Sequence, residues 1–79
     1  MIDISPRFMI DRLQGIIDDI EEGNYEEALI DLKDTFVTIA DLYPWALTSQ
    51  QKAMAKEFRR ELSERRREVL KKLEALRKA

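Results

Sequence analysis

The sequence predicts an all-α fold, an up-down-up three-helix bundle with a long third helix. Three observations predict it. Apolar residues recur at i, i+3, i+4 and i+7 in three successive segments. Two breaker sites, Gly23-Asn24 and Pro44-Trp45, divide the 79-residue chain, and no Gly or Pro follows Pro44. No strand pattern competes, because the alternation at Ile2 and Ile4 is too short to make a sheet.

Helix 1 is expected over residues 6–22. Ser5 is an N-cap residue and Pro6 occupies N1, where the missing N–H costs nothing. Met9, Ile10, Leu13, Ile16, Ile17 and Ile20 fall on one stripe at 100° per residue. Gly15 lowers helix propensity and is expected to admit close approach of a neighbour. Phe8 lies off the stripe and is expected to pack on Ile2 and Ile4. Gly23 is the expected C′ residue.

Helix 2 is expected over residues 25–43, with Asn24 as N-cap and Glu27 at N3. Tyr25, Ala28, Leu29, Leu32, Phe36, Ile39, Ala40 and Tyr43 form its apolar face. Ile30 and Val37 lie well away from that face and are expected to be exposed beside Asp34 and Asp41, forming a shallow groove for a partner helix. Helix 3 is expected over residues 49–78, capped by Thr48 with Gln51 at N3. Its stripe is Met54, Phe58, Leu62, Val69, Leu73 and Leu76, and Glu61–Arg65, Glu68–Lys72 and Glu74–Lys78 are acid-before-base pairs at i, i+4.

Charge is divided along the chain. Residues 1–49 hold eleven acids and three bases (net −8), residues 50–79 eleven bases and five acids (net +6), which sum to the total of −2. Opposite blocks in one short chain pair with each other or with a second copy. At ~1.5 Å per residue, helices 1, 2 and 3 are roughly 26, 28 and 45 Å long, so helix 3 outruns the others by about eleven residues. This register sets Arg65, Arg66 and Arg67 beside Glu21, Glu22, Glu26 and Glu27. Beyond them Val69, Leu70, Leu73 and Leu76 lack cover from their own chain, and burying each is worth about 1.5–3 kcal/mol. A second copy in a short coiled coil would cover them.

The run Gly23-Asn24-Tyr25-Glu26-Glu27-Ala28-Leu29 resembles the helix-to-helix turn of tetratricopeptide repeats. It is equally similar to the corresponding turn of microtubule-interacting-and-trafficking (MIT) domains, which are three-helix bundles of about this size. The resemblance covers these seven residues, in which Gly23 ends one helix, Tyr25 packs under the turn and Ala28 lets the helices approach. Asp19 stands where the repeat carries a large aromatic residue, and Gly23 to Pro44 is longer than a repeat allows. The MIT resemblance accommodates the third helix and implies binding of a short helical or extended peptide along it.

Composition excludes most chemistry. The chain has no Cys and no His, which removes disulfides, thiolate metal sites and the commonest general base and metal ligand. No apolar run approaches ~18 residues, and no secretory signal pattern opens the chain. Asp18 and Asp19 face away from the helix 1 stripe, there is no Gly-rich phosphate loop, and Ser63 has no His partner. The reading is a cytoplasmic, non-catalytic protein-interaction or assembly module. It has no cofactor, metal, membrane or small-molecule substrate, and it acts through Ile30, Val37, Arg65, Arg66, Arg67, Val69, Leu70, Leu73 and Leu76. The alternative is a small nucleic-acid-associated regulator using the basic C-terminal helix.

Overall fold

The computed structural model describes residues 5–23 and 25–78. Three α-helices, α1 (Pro6–Gly23), α2 (Glu26–Leu42) and α3 (Ser49–Lys78), form the bundle, with a 3₁₀ turn at Pro44–Ala46 between α2 and α3. The order is up-down-up, so α1 and α3 run parallel to each other and antiparallel to α2.

Each helix starts and stops for a local reason. Ser5 Oγ accepts from the Phe8 N–H at 3.2 Å, satisfying an N-terminal donor of α1. The Tyr25 side chain makes no capping bond to α2, and Glu26 and Glu27 in the first turn place negative charge at the positive end of the helix dipole. The expected Asn24 cap lies outside the described residues. Tyr43 N–H closes α2 on Ile39 O at 2.9 Å, and Pro44 then prevents continuation. At the start of α3 the Thr48 and Gln51 pair is reciprocal. Gln51 N–H donates to Thr48 Oγ1 and Thr48 N–H donates to Gln51 Oε1, both at 3.1 Å.

The core draws on all three helices and the connection. Ile10 and Ile17 come from α1, Phe36, Val37 and Ala40 from α2, Leu47 from the connection, and Ala55 and Phe58 from α3. Phe36 and Phe58 meet edge to face with ring centroids 5.4 Å apart. Two polar ties hold the register. Gln51, itself buried, donates through Nε2 to Asp11 Oδ1 (2.6 Å) and Gln14 Oε1 (3.0 Å). Lys33 Nζ bridges Glu21 of α1 (3.6 Å) and Glu61 of α3 (2.7 Å) while lying 5.0 Å from the centroid of the Phe58 ring.

Several local expectations are corrected. Val37 is 8% exposed and belongs to the core, not to an exposed pair. Ile30 is half-buried. α2 is flanked by α1 on one side and α3 on the other, so its buried arc is wider than the single stripe of a surface helix. Gly23 is the last helical residue of α1, and a Cβ there would come within 2.8 Å of the Tyr25 ring. The close approach at this turn is therefore ring to backbone, while Ala28 is exposed and brings no helix nearer. The partners expected for Phe8, Ile2 and Ile4, lie outside the described residues.

Gly15 is also not where a neighbour approaches, because a Cβ there would meet nothing within 4 Å. Its only local consequence is lost helix propensity. Gly15→Ala is expected to raise the unfolding free energy by about 0.5–1 kcal/mol. Urea titration followed by circular dichroism measures it, and an unchanged or lowered midpoint would mean that Gly15 has another role.

Candidate functional site

Helix rise makes α1 and α2 about 26 Å long and α3 about 45 Å, consistent with overall extents of 55 × 27 × 26 Å. The two polar ties define where the overhang begins. Gln51 lies beside Asp11, and Lys33 joins Glu21 to Glu61, so α1 ends about level with Ser63. α2 runs antiparallel to α3 and begins seven residues before Lys33, so its start is about level with Glu68, seven residues past Glu61. From there to Lys78, α3 has no other helix beside it among the described residues.

The apolar residues of this segment are open to solvent. Val69, Leu70, Leu73 and Leu76 are 48, 54, 53 and 73% exposed. A strip of large apolar side chains on one helix face is the kind of surface that marks an interaction site. At 100° per residue Arg65 and Lys72 border it on one side and Glu74 and Arg67 on the other, while Arg66 and Arg77 fall within it between Leu73 and Leu70. All of these basic residues, with Lys71 and Lys78, are exposed.

The strip continues into the groove between α2 and α3. Ile30, Asp31 and Asp34 line its α2 wall, and Arg66, Val69 and Leu70 its α3 wall. Arg65 lines both this groove and the neighbouring depression with Glu26, Leu29 and Leu62. The structure thus brings Ile30, Arg65, Arg66, Val69 and Leu70 together, leaves Leu73 and Leu76 on the free end, and removes Val37 to the core.

The Arg65–Arg67 triplet does not clasp the acidic turn. Among the described residues the ion pairs are Lys33–Glu21, Lys33–Glu61, Arg59–Asp41 and Arg60–Glu57, the last at i, i+3. Glu61 turns to Lys33 rather than to Arg65. Lys33 is the only base between Arg12 and Lys52, and it sits within the apolar face of α2. That isolation was the signal that could have marked it as a tie.

A second group of exposed apolar residues sits at the other end of the bundle: Phe8 on α1, Leu42 on α2 and Trp45 on the 3₁₀ turn. Trp45 is 74% exposed and packs edge to face on Tyr43 at 5.5 Å. Among the described residues there is no cluster of potential metal ligands, and no helix is long and apolar enough to cross a membrane. The chain matches no protein-family model, no curated protein and no solved structure.

Proposed function

We propose that this protein is a non-catalytic assembly module that self-associates through the free end of α3. The observation that carries the reading is the exposed strip of Val69, Leu70, Leu73 and Leu76, on a helix that continues past both of its neighbours. Regular helix persists there although the described residues of its own chain offer it no packing surface. Covering each of the four side chains is worth up to about 1.5–3 kcal/mol, reduced by the share already covered.

Sedimentation equilibrium on the full chain tests it. The weight-average mass is expected to rise with concentration, and Leu73→Glu with Leu76→Glu to return the monomer mass. Neither substitution touches the core, so the melting temperature of the dilute protein should stay at the wild-type value. A wild-type monomer mass that persists to about 1 mM, where association is worth about 4 kcal/mol, would end the reading.

A second reading, contact with nucleic-acid phosphates, draws on the exposed bases from Arg65 to Lys78. Glu68 and Glu74 interrupt them, and no aromatic residue stands among them for stacking. Titration of a labelled duplex at low salt separates the two. Binding that weakens steeply with added salt, by a chain that stays monomeric, favours the second.

A further inference from the structure

The groove between α2 and α3 carries opposite charges on its two walls. Asp31 and Asp34 stand on α2, and Arg65 and Arg66 on α3, with Ile30, Leu62 and Val69 between them. The groove opens onto the overhang, which ends in Arg77 and Lys78. Among the described residues, none of Asp31, Asp34, Arg65, Arg66, Arg77 and Lys78 takes part in an ion pair. A surface with both signs flanking an apolar floor is complementary to its own copy turned by a two-fold rotation.

Two further considerations fix how the copies meet. The overhang from Leu70 to Lys78 is about nine residues, whereas a stable interface takes roughly 20–30 residues from each side. The groove must therefore take part. Charge then excludes a parallel pairing of the two ends. Each strip is flanked by Arg65 and Lys72 and interrupted by Arg66 and Arg77, so parallel strips in register would set base against base. An antiparallel arrangement instead carries the basic end of one chain to the acidic α2 wall of the other.

We infer that a second copy of this chain docks about a two-fold axis passing close to Leu73, each α3 end lying antiparallel to the other and reaching the other's α2–α3 groove. The inference rests on the self-association proposed above. In this register Leu70 faces the partner's Leu76. The partner's Arg77 and the partner's Lys78 arrive level with Val69 and Glu68. That position is at the open end of the groove that Asp31 and Asp34 line with Val69, about 7.5 Å along α2 from Asp31. The negative residues 1–49 and the positive residues 50–79 then neutralise each other between chains.

Two charge-reversed chains test the contact: Asp31→Lys with Asp34→Lys, and Arg77→Glu with Lys78→Glu. All four positions are exposed, so each variant should keep the wild-type helix signal and melting temperature when dilute. Each alone is expected to dimerise at least about tenfold more weakly than wild type, since both symmetric contacts become repulsive. Mixed in equal amounts, they should form a one-to-one heterodimer by native mass spectrometry, because both contacts are then attractive again. Variants that dimerise as tightly as wild type, or a mixture that fails to recover association, would overturn this geometry. If Leu73→Glu with Leu76→Glu still abolished the dimer in that case, self-association would stand and only the docking mode would fall. A wild-type chain monomeric to about 1 mM would remove both.

Discussion

Phe36→Ala is expected to lower the unfolding free energy by about 3–5 kcal/mol, the usual cost of emptying a buried aromatic position. Phe36 is fully buried on α2, the helix that touches both neighbours. The substitution removes the edge-to-face contact with Phe58 as well as its own packing. A domain of this size has a total stability of roughly 4–12 kcal/mol at ~0.05–0.15 kcal/mol per residue, so the loss is a large share of it. The effect should extend to Lys33, whose ammonium group lies over the Phe58 ring that Phe36 holds in place. Phe36→Leu retains most of the volume and is expected to cost about 1.5 kcal/mol or slightly more, with the aromatic contact contributing the excess. Urea unfolding of the two variants measures the difference. A Phe36→Ala protein within about 1 kcal/mol of wild type would show that the three helices are not held by this centre.

How much of this was legible beforehand depends on which interactions are periodic. Helix spans follow from capping residues and breakers, so residues 6–22, 25–43 and 49–78 differ from the observed helices by at most a residue at an end. The overhang follows from rise per residue alone. The environment of a residue off the main stripe does not follow, because it depends on how many neighbours the helix has. Val37 points about 100° away from Phe36, which would be solvent on an outer helix and is core on a middle one. Ion pairing was also illegible at the level of individual partners. Placing Arg65 near Glu26 requires only the antiparallel register, whereas Lys33 competes for the acids from inside the bundle, where one ammonium reaches both Glu21 and Glu61. Gly15 shows the opposite error. A glycine in a helix suggests a close neighbour, but the α1 face that bears it looks into open space.

The residue whose role was most hidden is Gln51, and its replacement gives the second large effect. Sequence pattern marks it only as the N3 residue after the Thr48 cap. In the structure it is buried, and its amide also donates to Asp11 and Gln14, joining the start of α3 to α1. Gln51→Ala gives up the bond from Thr48 N–H, a charge-assisted bond to Asp11 and a neutral one to Gln14. At about 0.5–1.5 kcal/mol for a neutral bond and 1.5–3 for a charged one, with partial rescue by water, the expected cost is about 3 kcal/mol. Gln51→Glu distinguishes the cap from the tie. The introduced carboxylate still accepts from Thr48 N–H and suits the helix N-terminus, but it cannot donate and it faces the carboxylate of Asp11. Burial and that neighbour raise its folded-state pKa above the ordinary glutamate value of about 4.3, so the penalty is full at pH 7 and shrinks as the pH falls toward that value. The gap to wild type in the unfolding curves should therefore be narrower near pH 5 than at pH 7 for Gln51→Glu and unchanged for Gln51→Ala. If the glutamate variant matched wild type at pH 7, the reciprocal cap alone would account for Gln51, and the bonds to α1 would be dispensable.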